Sequence, residues 1–407
     1  MSDVVIVGAG LAGLCCARVL HRAGVKFTLI DSADAVGGRI RTDVVDGFRL
    51  DRGFQVFLPS YPEAKEVLDY PALRLKSFEP GSLVRLGGKF HELSDPWRRP
   101  IAGVLSAFSP IGTLADKLKI AKLRSDVLRG TVNELYARPE TTTLAALQAR
   151  GFSANIIDRF FRPFLGGIFL DPSLNTSSRV FEFVFRMFST GLASLPALGM
   201  KEIPKQLARD LPQDSIRLNT TVTQLTEITL TLASGETLTP KAVVLAGPHS
   251  KRLLGDETLP QPCGVTCLYF RMPTPLHTKP ILVLNGEGTG PINNLCVPSV
   301  VSPSYAPAGS HLLSVTVLGT NHGPDLEQQV RSQLASWYGE VANTWPHLRT
   351  YSIPFALPTQ HHLEPTEAPA KVRPGVFVCG DHRHTASING AMASGRRAAE
   401  EMLREGG

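Results

Sequence analysis

The 407-residue sequence lacks the features of a membrane-spanning, a disulfide-stapled or a nucleic-acid-binding protein. No apolar run approaches the ~20 residues that a membrane-spanning helix needs. Its six cysteines show no metal-ligand spacing, and Cys263 and Cys267 have neither a second pair nor histidines nearby. We therefore interpret the cysteines as small buried hydrophobic residues. Without a recognition motif, an RGG tract or a basic tail, nucleic acid is not an expected partner.

Signals for a metal site, a hydrolytic site or a leader peptide are also missing. His361 and His362 are adjacent, so they share neither a helix face nor a strand face, and no third ligand accompanies them. No Ser/His/Asp arrangement or pair of carboxylates indicates hydrolysis. The first strand starts almost at the N-terminus, which leaves no room for a signal or transit peptide. A cytoplasmic location is therefore the expectation.

The composition is that of an ordered chain with more than one core. Hydrophobic residues make up 43% and charged residues 19% of the sequence, values typical of a folded protein. At 407 residues the chain is too long for one compact core, so we expect two domains. The net charge of +6 would suit an acidic partner, a phosphate-bearing cofactor or an anionic membrane surface.

The N-terminal stretch carries the most informative pattern. An apolar run, Val4 to Val7, predicts a buried parallel strand and is followed by the turn Gly8-Ala9-Gly10-Leu11-Ala12-Gly13. A helical pattern then runs to Gly24, and a second apolar run, Val25 to Ile30, ends in Asp31. Strand, glycine turn, helix, strand and terminal acid together predict a dinucleotide-binding βαβ unit.

Each part of that unit has its own physical role. Gly8 permits the tight turn, Gly10 lets a pyrophosphate approach the backbone, and Gly13 lets the helix pack closely on the strand. The helix N-terminus would hold the pyrophosphate through its free N–H groups and its dipole. Asp31 is placed to accept hydrogen bonds from an adenosine ribose.

A second glycine turn follows the βαβ unit. Gly37 and Gly38 precede Arg39, a cation within reach of phosphates held by the first turn, although a salt bridge is the alternative role. Residues Phe48 to Phe57 alternate around Gly53. This pattern predicts a short strand whose glycine lets a flat group approach the backbone.

Three N-terminal stretches, VVIVGAGLAG, IDSADAVGGRIRT and DGFRLDRGFQVF, resemble the FAD-dependent amine oxidase and phytoene desaturase superfamily. The C-terminal stretch GVFVCGDHRHTASINGAMASGRRAAEEMLRE resembles the C-terminal FAD motif of that superfamily. The resemblance implies an α/β fold, with a Rossmann-like FAD-binding domain on a parallel sheet and a second domain of mixed sheet and helices. It also implies FAD, not a nicotinamide cofactor, as the tightly bound ligand.

The resemblance further implies domain boundaries and cofactor contacts. It places the discontinuous FAD-binding domain at 1–60, 198–250 and 370–407, and the substrate-binding domain at 61–197 and 251–369. The backbone N–H groups of residues 388–390 would face the flavin's pyrimidine edge from a helix N-terminus. The expected FAD-binding residues are Gly8, Gly10, Leu11, Ala12, Gly13, Asp31, Ser32, Gly37, Gly38, Arg39, Gly53, Phe54, Val222, Ala246, Gly380, Asp381, Ser387, Ile388, Asn389 and Ala391.

The chain departs from the amine oxidases just before its last helix. Those enzymes place there an aromatic residue that cages the amine, whereas this sequence has Ile388 and Asn389. The GAxxSG pattern that follows looks more like the plant-type phytoene and ζ-carotene desaturases and the squalene-associated desaturases. A cage orients and desolvates a cationic amine, so its absence favours an apolar or weakly polar substrate.

Phenylalanine is concentrated in the middle of the chain. Phe181, Phe185 and Phe188 have helical spacing and predict a core helix. In the segment Arg162–Phe169, a proline and a glycine pair predict a loop that presents aromatic residues. The matching region of the polyene desaturases helps to wall the substrate tunnel, and the substrate-binding candidates here are Arg162, Phe164 and Phe169.

Hydride removal to flavin N5 needs proximity and orientation above all. The catalytic candidates are Phe54 and Gln55 on one side of the ring and His382 and His384 on the other, although the histidines could instead cap a loop. The leading hypothesis is an FAD-dependent oxidoreductase acting on a hydrophobic substrate such as an isoprenoid or polyene. The alternatives are an amine oxidase with an atypical cage, and a flavoprotein with a redox-neutral role as an isomerase or binding module.

Residues 95–130 combine basic and apolar side chains. They hold seven Lys or Arg against three Asp, with Trp97 among the apolar residues. One interpretation is a basic amphipathic surface that lies on an anionic membrane. The other is an ordinary solvated helix face.

Overall fold

The computed structural model describes residues 3–94, 98, 110–255 and 261–405, which form a mixed α/β molecule. In chain order the strands are β1 Val4–Val7, β2 Phe27–Ile30, β3 Thr42–Val45, β4 Phe48–Asp51, β5 Lys76–Ser77, β6 Gly81–Leu86, β7 Lys89–Ser94, β8 Ser194–Leu195, β9 Ile216–Arg217, β10 Val222–Thr226, β11 Thr229–Leu232, β12 Thr237–Leu238, β13 Ala242–Ala246, β14 Pro262–Met272, β15 Leu282–Asn285, β16 Asn294–Cys296, β17 His311–Leu318, β18 His347–Pro358, β19 Lys371–Arg373 and β20 Val376–Cys379. The helices are α1 Leu11–Arg22, α2 Pro62–Val67, α3 Tyr70–Leu73, α4 Leu114–Leu128, α5 Val132–Tyr136, α6 Thr143–Ala149, α7 Ala154–Ile156, α8 Arg162–Phe169, α9 Ser178–Thr190, α10 Glu202–Arg209, α11 Pro298–Val301, α12 Leu326–Tyr338 and α13 Ile388–Glu405. A π-helical turn, Ile157–Phe161, joins α7 to α8.

One six-stranded sheet contains β1 and β2, the two strands predicted in the N-terminal βαβ unit. Its order is β19-β20-β13-β1-β2-β9, and its neighbouring pairs are parallel except β19 with β20. The central strands β1 and β13 consist of the apolar runs VVIV and AVVLA. Such continuous apolar runs are typical of parallel strands covered on both faces. The Rossmann-like parallel sheet is therefore confirmed.

Small residues let α1 and α13 approach this sheet and each other. A Cβ at Gly13 would lie 1.9 Å from the Gly8 oxygen, and one at Gly395 would lie 2.0 Å from the Ala12 oxygen. Neither gap admits a side chain, so close packing requires glycine at both positions.

The second large sheet has seven strands in the order β18-β14-β17-β16-β15-β6-β7. Because side chains alternate along a strand, the sheet has two different faces. One face buries Leu268 and Phe270 with residues of α12 in a separate core. The other face carries Cys267 and Tyr269 into the large core that also contains residues of α1. This second face therefore packs into the core that it shares with α1 and β1.

The helical region between residues 113 and 190 is organised by capping side chains. The Thr113 hydroxyl accepts from the Asp116 N–H at 3.1 Å, and the Asp116 carboxylate accepts from the Thr113 N–H at 2.8 Å, which starts α4. Ser177 caps α9, and Phe181 is fully buried there. The predicted helix is confirmed and Phe181 lies in the core, whereas Phe185 and Phe188 are only partly buried and pack against it.

Two local predictions are wrong. The strand that begins at Phe48 ends at Asp51, because Gly53 has a φ of +84°, which no extended strand accommodates. The segment Arg162–Phe169 is helix α8 and not a loop.

The neighbours of α8 explain why its proline and glycines do not break it. Pro163 lies in the first turn, where a missing N–H is tolerated. A Cβ at Gly166 would lie 3.3 Å from Pro172 Cα, and one at Gly167 would lie 2.8 Å from Asn293 Nδ2. The glycine pair therefore serves close packing of α8 against the chain around it.

Candidate functional site

The two glycine turns lie against each other at the N-terminus of α1. The Gly37 N–H donates to the Ala9 oxygen at 2.8 Å. A Cβ at Gly38 would lie 3.2 Å from Gly10 Cα, and Gly38 has a φ of +58°. Both turns therefore meet beyond the carboxyl end of β1, which is where open parallel sheets bind dinucleotides.

Gly10 is a glycine that neither its backbone nor its packing explains. Its φ of −73° and ψ of −178° suit any residue. Among the glycines in the described ranges, Gly10 alone combines such a φ with no neighbouring atom within 4 Å of an ideal Cβ. A side chain would fill the open space at the N-terminus of α1. A ligand that must touch the backbone, as a pyrophosphate does, fits this position.

Asp31 fastens the first glycine turn to the end of β2. Its Oδ2 accepts from the Ala9 N–H at 2.6 Å, and its Oδ1 accepts from the Ala33 N–H at 2.8 Å, with Ser32 between Asp31 and Ala33. A carboxylate oxygen accepts more than one hydrogen bond. The ribose contact of Asp31 and Ser32 stays a prediction.

Arg39 and Asp381 lie far apart in sequence but form an ion pair. Arg39 Nη2 lies 2.6 Å from Asp381 Oδ1, and the aspartate side chain is only 4% exposed. Arg39 Nη1 donates to the Ala356 oxygen at 2.9 Å, and its guanidinium lies 5.8 Å from the centre of the Phe355 ring. Since a guanidinium has five N–H donors, these contacts are compatible with a phosphate ligand. Arg39 therefore links the second glycine turn, β18 and the C-terminal loop.

Side chains fix the N-terminus of α13. The Ser387 hydroxyl accepts from the Gly390 N–H at 3.0 Å. Asn389 Oδ1 accepts from the Glu63 N–H at 3.0 Å, and Glu63 pairs with Arg396 at 2.7 Å. The cap therefore uses the Gly390 N–H that was expected at the flavin edge, because an N-cap hydroxyl accepts from the second or third N–H of its helix. The N–H groups of Ile388 and Asn389 are the groups that we expect to face a flavin there.

The histidines lie between Asp381 and this helix, in a loop that starts at Gly380. His384 is 9% exposed, and its Nδ1 accepts from the Thr385 N–H at 2.7 Å. The neutral ring therefore carries its proton on Nε2. Burial, followed by the charges of Arg397 and Arg396, lowers the pKa of His384 to about 4. Such a histidine is poorly matched to accept a proton near neutral pH.

The protein's own conformation and packing require a glycine at position 53, whereas they do not require one at position 10. The φ of Gly53, +84°, is in the left-handed region, and a Cβ there would lie 2.9 Å from Ile353 Cδ1. Protein conformation and packing therefore account for Gly53, and its contact with a flavin stays a prediction.

Phe54 and Gln55 follow as an irregular segment. The half-buried Phe54 ring packs edge-on against Phe78 with 6.3 Å between the ring centres. Gln55 Nε2 donates to the Arg39 oxygen at 3.0 Å and to the Arg52 oxygen at 3.2 Å. The Gln55 amide therefore braces the second glycine turn, and its role toward a substrate stays a prediction.

Phe164 belongs to a half-buried aromatic cluster. Its ring stacks on Phe160 at 5.4 Å and meets Phe188 edge-on at 5.3 Å, and all three side chains keep some exposure. An aromatic surface of this kind suits an apolar ligand.

The other two substrate candidates have structural partners. Phe169 is 8% exposed and belongs to the large core. Arg162 donates to Asp158 Oδ1 at 3.0 Å and to the Pro172 oxygen at 2.6 Å. These contacts account for both residues without a ligand, and their substrate role stays a prediction.

Helix α8 and the segment around Gly53 contact the same face of the seven-stranded sheet. Gly167 in α8 lies beside Asn294. A Cβ at Gly53 would lie 3.7 Å from Val265 Cγ1, and Val265 shares a sheet face with Cys267, two residues further along β14. Thr316 in β17 lies directly between Cys267 and Asn294, because it pairs with Cys267 in β14 on one side and with Asn294 in β16 on the other. The structure thus brings the predicted substrate segment and the predicted flavin-facing segment to one surface.

Asp51 is a buried carboxylate that sequence reasoning missed. Its Oδ1 accepts from the Thr42 hydroxyl at 2.5 Å and from the Met200 N–H at 3.0 Å, and its Oδ2 accepts from the Tyr305 hydroxyl at 2.8 Å. Burial raises the pKa of Asp51 to about 6, although these hydrogen bonds oppose that rise. An acid that ends a strand two residues before Gly53 was the available signal.

The remaining expected FAD residues lie on several elements. Leu11 and Ala12 begin α1 and are buried, and Ala391 lies in the first turns of α13. Ala246 ends β13, and its oxygen would lie 2.4 Å from a Cβ at Gly8. Val222 begins β10, in a separate three-stranded sheet with β11 and β12.

Known proteins are similar to this chain in sequence. The family model described as flavin containing amine oxidoreductase matches residues 11–403. Protoporphyrinogen oxidase 2 of Arabidopsis thaliana is 23% identical over 482 residues, covering 98% of this chain and 93% of that protein. Coproporphyrinogen III oxidase of Mycobacterium leprae is 28% identical over 170 residues, covering 40% of this chain and 36% of the relative. The chain thus aligns with about a third of the length of that relative.

Solved structures show the same fold. A triple mutant of putrescine oxidase superposes with a TM-score of 0.73 at 17% identity, covering 99% of both chains. Reduced UDP-galactopyranose mutase superposes with a TM-score of 0.71 at 17% identity, covering 100% of this chain and 96% of that chain.

Proposed function

Because this chain belongs to the flavin containing amine oxidoreductase family and is an FAD-dependent oxidoreductase, we propose that it removes hydride from a hydrophobic or weakly polar small molecule. The observation that supports this substrate class is the half-buried cluster of Phe160, Phe164 and Phe188. Phe164 lies in α8, and α8 contacts the same sheet face as the segment around Gly53. Aromatic walls with few polar groups hold apolar ligands.

The chain's own residues would bind the cofactor and orient the substrate. The glycine turns, Arg39, Asp381 and the N-terminus of α13 would hold FAD, which supplies the two-electron acceptor when bound. Phe54 and Phe164 would keep the substrate close to it and exclude water. Positioning of this kind is the main requirement for hydride transfer.

Anaerobic mixing with candidate substrates tests the proposal. The panel should include porphyrinogens, because two relatives are named as porphyrinogen oxidases, and also polyenes and isoprenoids. Kinship with the desaturase branch stays a prediction, which the polyenes test. A true substrate bleaches the flavin absorbance near ~450 nm. A substrate that is converted while the flavin stays oxidised would contradict net hydride removal.

Two alternative functions have a fold-level observation in their favour. The likeness to putrescine oxidase keeps amine oxidation open, and hydrogen peroxide release with an amine panel would support it. The likeness to UDP-galactopyranose mutase keeps a redox-neutral role open, and product formation without net flavin reduction would support it. Ile388, which replaces an aromatic cage residue, favours the proposed function over amine oxidation.

We also propose that the start of α4 touches an anionic membrane surface. Leu114 and Leu118 lie one turn apart and are 64% and 66% exposed, and Lys122 continues the same exposed face. None of the helices in the described ranges is long and apolar enough to cross a membrane. Residues 95–97 and 99–109 of the basic segment, including Trp97, lie outside the described residues.

Vesicle sedimentation tests the membrane proposal. Each basic side chain near an anionic surface contributes roughly 1 kcal/mol, and salt screens this attraction. Binding to anionic vesicles should therefore weaken in high salt and on replacing Lys117, Lys119 and Lys122 together. Replacing Leu114 and Leu118 with serine should weaken it at every salt concentration. Vesicle binding that is unaffected by salt, by the lysine replacements and by the leucine replacements would contradict the proposal.

We retain the division into an FAD-binding part, 1–60, 198–250 and 370–407, and a substrate-binding part, 61–197 and 251–369, as a proposal. The separation of the strands supports it, because the six-stranded sheet draws its strands from the first set of ranges and the seven-stranded sheet from the second.

A further inference from the structure

Gln360 holds the backbone of the loop that leads into α13. Its Nε2 donates to the His384 oxygen at 2.6 Å, and its Oε1 accepts from the Ala386 N–H at 2.6 Å. The side chain is 8% exposed, so these bonds are shielded from water. One carboxamide therefore binds the loop on both sides of Thr385.

The backbone of Gln360 is tied to a different element. Its oxygen accepts from the Ser177 N–H at 2.7 Å, and Ser177 is the N-cap of α9. The residue after Ala386 is Ser387, whose hydroxyl caps α13. Gln360 thus connects the start of α9, on the substrate side, with the start of α13.

We propose that Gln360 is a positioning residue that holds the N-terminus of α13 against the flavin and so links helix α9 to the flavin's electrostatic environment. The proposal rests on FAD binding, which family membership shows, and on the α13 contact that the resemblance implies. The partial positive charge of a helix N-terminus favours the electron-rich reduced flavin. A loop that loses Gln360 lets this charge move away, so the flavin potential becomes more negative.

The donor and acceptor pattern of Gln360 gives a specific test. An ionised glutamate at this position has two acceptor oxygens, one of which would face the His384 oxygen. A protonated glutamic acid regains one donor and one acceptor with nearly the same shape. Gln360→Glu should therefore be defective at pH 8 and recover toward pH 5.5, whereas Gln360→Ala should be defective at both.

The surrounding ionisable groups allow this comparison. His384 has a pKa lowered to about 4, so it stays neutral in this range, and Glu140, which contacts Ser177, has a lowered pKa and stays ionised. Arg396 and Arg397, which act on His384, stay charged. His361 and His362 directly follow Gln360, and His362 Nδ1 lies 3.7 Å from Glu140 Oε2. The wild-type protein measured at the same pH corrects for these side chains and for all other groups.

Gln206 provides a matched control. Its amide makes the same two-way contact with a backbone, accepting from the Asp69 N–H at 2.9 Å and donating to the Asp69 oxygen at 3.0 Å. These bonds lie at the surface, at the start of α3, and not on the loop before α13. Gln206→Glu introduces the same charge without touching the proposed link.

The experiment measures the flavin midpoint potential and the FAD dissociation constant of the holoprotein at both pH values. We expect Gln360→Glu at pH 8 to show a more negative potential and about tenfold weaker FAD binding, as the loss of buried hydrogen bonds implies. Both values should return toward those of the wild type at pH 5.5. Gln206→Glu should match the wild type throughout.

Wild-type potentials in both Gln360 variants, or equal effects in Gln206→Glu, would overturn the proposal. A lower melting temperature with an unchanged potential would also overturn it, because it would show a purely structural role. If Gln360→Glu does not fold at pH 8, Gln360→Ala decides the outcome. Neither readout uses a substrate, so a negative result leaves the proposed hydride transfer untouched.

Discussion

Replacing Gly10 with valine separates FAD binding from folding. An ideal Cβ at Gly10 has no neighbour within 4 Å in the described ranges, and the φ of −73° suits valine. The main cost to folding falls on the N-cap of α1, where a poor capping residue costs roughly 0.5–2 kcal/mol. The melting temperature of the apoprotein should therefore fall by only a few degrees.

FAD binding should respond quite differently. The valine side chain would occupy the open space at the N-terminus of α1, where we propose that the FAD pyrophosphate binds, so the variant should lose most of its flavin. The assay combines the ratio of flavin to protein absorbance after gel filtration with thermal unfolding followed by circular dichroism. We expect a folded, colourless protein.

Two further variants make the result interpretable. Gly13→Ala places a Cβ 1.9 Å from the Gly8 oxygen, so it should impair folding itself. Thr142→Ala removes the hydroxyl that accepts from the Ala145 N–H at 3.1 Å at the start of α6, so it should cost about 1 kcal/mol and leave the flavin bound. A Gly10→Val protein with full flavin, or one that unfolds as Gly13→Ala does, would refute the reasoning.

Three other predictions concern the Arg39–Asp381 ion pair, the buried carboxyl group of Asp51 and the proposed substrate contacts. Arg39→Ala should lower both the melting temperature and flavin content, because it leaves Asp381 buried without its cation. Adding Asp381→Asn to Arg39→Ala should restore part of the stability. An unchanged melting temperature of Arg39→Ala in a thermal scan would contradict the prediction. The pKa of Asp51 is raised from 3.8 to about 6, so the folded state binds this proton more tightly than the unfolded state. Relative to Asp51→Asn, the wild type should therefore gain about 2.4 kcal/mol of unfolding free energy as the pH falls from 7 to 4. Urea unfolding of both proteins measures this, since the opposite effect of His384 cancels in the difference, and a flat difference would count against it. Phe164→Ala should weaken substrate binding and Gln55→Ala should slow flavin reduction without FAD loss. If flavin reduction in rapid-mixing experiments is unchanged in both variants, the substrate binds elsewhere.

The sequence by itself determined the secondary structure of the N-terminal βαβ unit and two further strands of its sheet. β1, the glycine turn and α1 follow one another within a few residues, and β13 and β20 coincide with the apolar runs Ala242–Ala246 and Val376–Cys379. These signals are local, because a tight turn, a helix start and a buried strand each depend on consecutive residues. The prediction that Gly10 lets a pyrophosphate approach the backbone also came from its place in the turn.

Only the tertiary structure decided the conformation of the segment Arg162–Phe169 and the links between distant segments. Two glycines normally weaken a helix by about 1 kcal/mol each, yet α8 forms because Pro172 and Asn293 pack where side chains would otherwise stand. Arg39 meets Asp381 across 342 positions, and Gln360 binds a loop 24 residues away. No local pattern encodes such partners, because their contacts exist only after the chain has brought separate elements together.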